Sequence, residues 1–160
     1  MSKLELALDG DNHIIVTRTF KAPAEFVYRA HIEPALIQQW MLGPEGYTMP
    51  VCISEPKPGG KIRYEWARPG KPGFYLTGEY IALEPYTSIE HVERMHLPEP
   101  TPDNHVRTTF VETNAETTIT VRMSLPSKEV RAMLLSSGMD QGMESSYRRL
   151  DTIASGVATI

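Results

Sequence analysis

Two ionisable residues stand two apart in the run Ser88-Ile89-Glu90-His91-Val92-Glu93-Arg94-Met95. If this run is a strand, alternation puts Ile89, His91, Glu93 and Met95 on one face. An imidazole beside a carboxylate among apolar neighbours either moves a proton or orients the polar end of a bound molecule. His91 and Glu93 are therefore the candidate catalytic or ligand-orienting residues. A slip of one residue in register would turn both to solvent, because it reverses every side chain.

Other chemistry finds no support in the residue pattern. His13, His31, His91, His96 and His105 show no metal-site spacing of the His-Glu-Xaa-Xaa-His kind, so no metal is expected. Gly59-Gly60-Lys61 is followed by Ile62 rather than Ser or Thr and lacks the upstream glycine of a phosphate loop. There is no Gly-Xaa-Ser-Xaa-Gly nucleophile elbow, and no cofactor is expected. Ser136-Ser137-Gly138 reads as helix surface. Glu144, Arg148, Arg149 and Asp151 read as a solvated helix face with local ion pairs. Cys52 stands alone, which excludes an intrachain disulfide and fits a reducing compartment; it reads as a strand residue without a role.

The elements that must position such residues follow from periodicity and punctuation. Residues 12–20 are rich in Ile, Val, Thr and Phe and read as a strand. Pro23 suits the first turn of a helix and Glu25 its positive end. Phe26, Val27, Ala30 and His31 give that helix a short apolar face. Pro34 opens a second short helix closing on Trp40. Neither is long enough to stand alone, so both must pack on something larger. Tyr47, Met49, Val51 and Ile53 then alternate with polar positions, with Pro50 pointing to an edge strand or a bulge. Ile62, Tyr64 and Trp66 alternate with Lys61, Arg63 and Glu65, the pattern of an antiparallel strand with one wet side. Strands over residues 74–83, 88–95, 105–113 and 116–125 follow, separated by turns and by a proline-bearing loop at 97–104. Residues 127–154 read as one helix capped by Ser127. Leu135, Met139, Met143, Tyr147 and Leu150 form its apolar stripe, and Gly138, Gly142 and Ser146 a small-residue ridge beside it.

The predicted fold class is thus α+β, in the order strand, two short helices, six strands, long helix (β-α-α-β6-α). The 160 residues read as a single domain with its core over about 12–154. Six consecutive strands with short turns demand an antiparallel meander, and one amphipathic helix can bury its stripe only on that sheet. At 41% hydrophobic and 22% charged the chain is globular in composition, not disordered. A net charge of −4 with no basic run argues against nucleic acid and anionic membrane as partners. No window approaches a membrane span and the N-terminus lacks a signal peptide's apolar stretch, so a cytoplasmic protein without membrane insertion is expected.

Several segments together resemble a known family. These are Arg18-Thr19-Phe20-Lys21-Ala22-Pro23, Val27-Tyr28-Arg29-Ala30, Pro34 with Trp40, Gly43-Pro44-Glu45-Gly46-Tyr47, Pro58-Gly59-Gly60-Lys61, and Gly138-Met139 with Gly142 and Leu150. In order and spacing they resemble the SRPBCC (START-like, Bet v 1-like) superfamily. More narrowly they are similar to the branch related to the C-terminal domain of the activator of the Hsp90 ATPase. The resemblance implies a helix-grip fold, a curved antiparallel sheet wrapped around the long C-terminal helix, with an internal cavity. It also implies that the strand face of His91 and Glu93 looks inward. It does not imply one chemistry, since the superfamily spans hydrophobic-ligand carriers, polyketide cyclases and co-chaperone domains.

With inward faces so assigned, the expected pocket comprises Trp40, Tyr47, Met49, Ile62, Tyr64, Trp66, His91, Glu93, Phe110, Ile119, Val121, Met123, Met139, Gly142, Met143 and Tyr147. Tyr, Trp and Met make an adaptable apolar wall with a few polar handles. Ranked first is a binding protein for a small apolar or aromatic molecule. A cyclase- or hydrolase-type enzyme using His91 and Glu93 ranks second. A co-chaperone-like interaction module with a chaperone partner ranks third, and a homodimer stays open.

Overall fold

The computed structural model describes residues 3–158. Eight strands form one antiparallel sheet: β1 (Glu5–Asp9), β2 (His13–Phe20), β3 (Thr48–Ser54), β4 (Lys61–Arg68), β5 (Lys71–Glu84), β6 (Ser88–His96), β7 (Asn104–Thr113) and β8 (Glu116–Ser124). Their order across the sheet is β1-β2-β8-β7-β6-β5-β4-β3. Between β2 and β3 lie α1 (Ala24–Ile32) and α2 (Pro34–Trp40), and the chain closes with α3 (Lys128–Ser136) and α4 (Met139–Ala158). This is the expected helix-grip architecture, with one strand more and one helix break more than the sequence suggested.

Alternation decides which face is buried. In β2 the side chains of Ile14, Val16, Arg18 and Phe20 point inward, and in β4 those of Ile62, Tyr64 and Trp66 do. β7 turns Asn104, Val106, Thr108 and Phe110 inward, and β8 does so with Thr117, Ile119, Val121 and Met123. Ile14, Phe20, Val27, Ile37, Trp40, Ile119 and Leu150 are fully buried and join sheet, α1, α2 and α4 in one core.

Three local expectations are corrected. Residues 5–9, to which the sequence pattern assigned no element, form β1 and pair with β2 from Glu5↔Thr17 to Asp9↔His13. All five of its residues are exposed, so no buried face announces it; Asp9-Gly10, with Gly10 at φ +58, is the turn signal that does. In β3 the register shifts between Thr48 and Val51, around Pro50. The extra residue flips the face, so Met49 is buried, Ile53 is exposed, and Cys52 rather than Val51 stands opposite Tyr64. Finally, the predicted single helix over 127–154 is two. Ser127 caps α3 as expected, its Oγ accepting from Val130 N at 3.2 Å. The helix then stops at Ser137, because Gly138 adopts φ +82, a left-handed turn that glycine enters without steric cost. Gly138 is thus the joint between α3 and α4, not part of a continuous small-residue ridge.

Candidate functional site

A space of about 480 Å³ lies between the inner sheet face and α4. The backbone of α4 packs chiefly on α2 and α3 rather than on any strand. Further along α4 side chains bridge the gap: the Tyr147 ring packs edge-on against Phe20 at 5.5 Å and stacks on Trp40 at 5.9 Å. Towards the N-terminal end of α4 the gap stays unfilled, bordered by Met139, Gly142 and Met143. A Cβ on Gly142 would meet only Pro44 Cδ, at 3.9 Å, so nothing presses on this glycine.

α4 is pinned there from β2. Arg18, with no exposed side-chain surface, uses all five of its donors. Nε and Nη2 bond the carboxylate of Glu144, both at 3.1 Å. Nη1 and Nη2 bond that of Asp151 at 3.2 and 2.8 Å, and Nη1 also bonds Thr19 O at 3.1 Å. Its guanidinium lies 5.1 Å from the centre of the Phe20 ring. Leu4 N adds a bond to Glu144 Oε1 at 2.9 Å. Burial alone would raise the Glu144 carboxyl, but Arg18, Leu4 N–H and Arg148 outweigh it and hold it below its ordinary value. Glu144 and Asp151 are therefore not the solvated helix face expected from sequence; of that group only the Arg148–Glu144 pair, at 3.1 Å, fits the description. Arg149 donates to Gly43 O at 2.6 Å and fixes the loop after α2.

Most of the wall is apolar. Trp66, Phe74, Leu76, Ile89, Val106, Val121 and Met123 supply the sheet side, and Met41, Leu42 and Pro44 the loop after α2. The indole donors are spent on backbone, Trp40 Nε1 on Ala30 O at 2.8 Å and Trp66 Nε1 on Met41 O at 2.9 Å. Aromatic carbon, not N–H, thus faces the space. Tyr64 and Tyr80 carry hydroxyls, with Tyr80 OH 2.7 Å from Ser54 Oγ. Burial pushes the Tyr80 phenol up to about 12 and Tyr64 well above its ordinary value, so both stay protonated.

Polar groups gather where β6 and β7 pair. His91 Nε2 lies 2.7 Å from Glu93 Oε1, on the strand face shared with Ile89. Glu93 stands opposite Asn104 in β7 and opposite Gly78 in β5. A Cβ on Gly78 would collide with Val92 O, so only glycine lets β6 approach β5 here. Asn104, 8% exposed, has no partner for Oδ1, and His91 Nδ1 is likewise buried without one. From α1, His31 faces the same region. Its Nδ1 donates to Val27 O at 2.7 Å, and its ring packs edge-on against Trp40 and Phe110. Burial, with the neighbouring His91 adding to it against the Val27 bond, holds the His31 imidazole down at about 4.

Of the residues expected from sequence, Trp40, Ile62, Tyr64, Trp66, His91, Glu93, Val121, Met123, Met139, Gly142, Met143 and Tyr147 border this space. Tyr47, Met49, Phe110 and Ile119 do not. Tyr47 packs outside, edge-on to Phe74 at 5.5 Å. Met49 and Ile119 are buried in the core, and Phe110 sits behind His31, 5.3 Å away. His31, Tyr80, Asn104, Thr108 and Ser146 border the space without having been placed in the expected pocket. His31 carried a signal, a titratable residue on an otherwise apolar helix face. Asn104 carried a weaker one, lying in phase with Val106, Thr108 and Phe110.

A second depression, on the outer sheet face, runs along Lys61, Arg63, Glu79 and Arg94. Its arginines are already paired, Arg63 with Glu65 and Arg94 with Glu79 and Asp103. Among the described residues no group of three or more His, Cys, Asp or Glu could hold a metal ion, and no helix is long and apolar enough to cross a membrane.

Known structures share this frame. A crystal structure of a Rhodobacter sphaeroides protein is 26% identical, with 99% of each chain covered and a TM-score of 0.90. A Mycobacterium smegmatis protein is 20% identical over 96% of each chain, with a TM-score of 0.83. A solution structure from Staphylococcus epidermidis is 25% identical over 93% of each chain, with a TM-score of 0.79. No curated protein matches the sequence. Residues 21–155 match the family described as Activator of Hsp90 ATPase homolog 1-like protein, a span running from the end of β2 through most of α4. The chain belongs to that family.

Proposed function

We infer that this protein binds a small apolar or aromatic molecule between the sheet and α4. The observation that carries the reading is the space of about 480 Å³ with Trp, Phe, Leu and Met walls and a polar group of residues at β6 and β7. That volume lies within the range of small-molecule sites, about 300–1,000 Å³. Gly142 offers the test. A leucine there meets open space beyond Pro44 and projects into the volume a ligand would need. Gly142→Leu is expected to fold and to abolish uptake of a fluorescent hydrophobic probe, while Gly142→Ala retains it. Equal probe binding by Gly142→Leu and the parent would refute the site.

A second reading is favoured by one contact, the 2.7 Å bond between His91 and Glu93. A carboxylate that orients an imidazole next to an apolar space is an arrangement for proton transfer, as a cyclase- or hydrolase-type enzyme would need. The readings separate under His91→Ala. In a carrier, binding weakens by about 1–3 kcal/mol. In an enzyme, turnover falls about 10²-fold or more with binding little changed. A chaperone partner, which the family's description brings to mind, ranks lower. The most exposed large apolar residues, Val111, Leu97, Met133 and Leu8, are spread over β7, the loop after β6, α3 and β1 rather than gathered on one element.

A further inference from the structure

Resting on the binding reading above, we propose that the ligand's polar end is a hydrogen-bond donor, a phenol or alcohol hydroxyl, received between His31 Nε2 and His91 Nδ1. The tautomers decide this. A backbone carbonyl only accepts, so His31 Nδ1, 2.7 Å from Val27 O, must carry the proton. Burial keeps this ring neutral at physiological pH, so Nε2 is a bare lone pair. It has no hydrogen-bond partner among the described residues. A carboxylate likewise only accepts, so His91 Nε2 carries the proton it gives to Glu93 Oε1. In the neutral ring Nδ1 is then a second bare lone pair, and it is buried without a partner. That atom is covered, so the ring must turn as the ligand enters, rewarded by satisfying a buried acceptor.

Both rings border the same space and stand near enough that His91 weighs on the His31 proton. The fixed N–H donors that could offset them are engaged, while the Thr108 and Tyr147 hydroxyls can turn either to donate or to accept. The Trp40 and Trp66 indoles serve backbone carbonyls, and Tyr80 OH is tied to Ser54. Asn104 can present either end of its amide, so selectivity rests on the imidazoles. A ligand carboxylate would bring charge of the same sign towards Glu93 and lone pairs towards lone pairs. A ketone or ether would offer only lone pairs. A hydroxyl gives its proton to one nitrogen and fits.

The test uses three probes of one size, naphthalene, 2-naphthol and 2-naphthoate, at pH 8, where imidazoles are ordinarily neutral. Expected is naphthol binding about tenfold tighter than naphthalene, the worth of one net hydrogen bond, with naphthoate weakest. His31→Phe and His91→Phe should each erase the naphthol preference and keep naphthalene. Long-range proton–nitrogen NMR of the parent protein reads the premise without any variant. His31 Nε2 and His91 Nδ1 should be the unprotonated nitrogens, and both resonances should move on adding naphthol. Either nitrogen found protonated, or naphthol binding no tighter than naphthalene, overturns the proposal and leaves the apolar site standing. If neither naphthalene nor naphthol binds, the underlying binding reading falls as well.

Discussion

Arg18 shows how much one side chain can decide. Its strand position, between Val16 and Phe20 on the inward face, would ordinarily hold an apolar residue. A buried guanidinium is tolerable only because each N–H has an acceptor and two carboxylates meet its charge. Arg18→Met should cost about 3 kcal/mol, since it strands two half-buried carboxylates on α4. The midpoint of urea unfolding measures this. Arg18→Lys should recover little, because an ammonium offers three donors and no fork to match two carboxylates. Unfolding midpoints for Arg18→Lys equal to the parent's would show that charge alone holds the helix. From sequence Arg18 was visible as the odd member of an alternating strand. Its partners were not, because Glu144 and Asp151 are 126 and 133 positions away.

At the scale of elements, two glycines four residues apart have opposite roles. Gly138 sits at φ +82 between α3 and α4, whereas Gly142 lies within α4 with open space at its Cβ. Gly138→Ala forces a left-handed backbone on a residue with a Cβ and should destabilise by about 1–2 kcal/mol. Gly142→Ala improves helix propensity and should stabilise by up to about 1 kcal/mol. Thermal denaturation of the two variants side by side checks both signs; a stabilised Gly138→Ala would mean that the helix runs through unbroken. The apolar stripe survives the break, since Met139, Met143, Tyr147 and Leu150 all belong to α4 and Leu135 still packs against the core from α3. Periodicity alone therefore read the two helices as one. The β3 face was misread for a related reason: Pro50 pointed to a bulge, but only the pairing with β4 shows where the extra residue falls.

For the whole molecule, burial of titratable groups sets the response to acid. His31 is held neutral down to about pH 4 in the folded state, while the unfolded chain takes up that proton near 6.5. Between those values the unfolded state binds more protons, so stability falls as pH drops from about 6.5 to 4. Glu144 acts in a lower window. Its carboxyl is depressed in the fold, so its stabilisation is complete above the ordinary glutamate value and is lost as pH falls through the lowered one. Urea midpoints measured from pH 7.5 to 3 should decline in both windows. His31→Gln should flatten the upper part and leave the lower, and Glu144→Gln the reverse. A parent curve level between pH 6.5 and 4.5 would show that His31 is hydrated rather than buried.

The sequence by itself determined the architecture and much of the inner surface. Alternation in β2, β4, β7 and β8 and the stripe on α4 report burial directly, because period 2 and period 3.6 are properties of the local backbone. Hence Tyr64, Trp66, Met123, Met139, Met143 and Tyr147 were assignable to the inner side, and His91 and Glu93 to one strand face. Only the tertiary structure decided the rest. Which inward residues pack solidly, as Met49, Phe110 and Ile119 do, and which border a space depends on how far α4 stands from the sheet. That distance is set by Arg18 reaching Glu144 and Asp151, by Arg149 on the Gly43 loop, and by the turn at Gly138. That His31 from α1 and His91 from β6 border one space belongs to the same class. Contacts between distant segments leave no local periodicity, so they exist only once the sheet has closed on its helices.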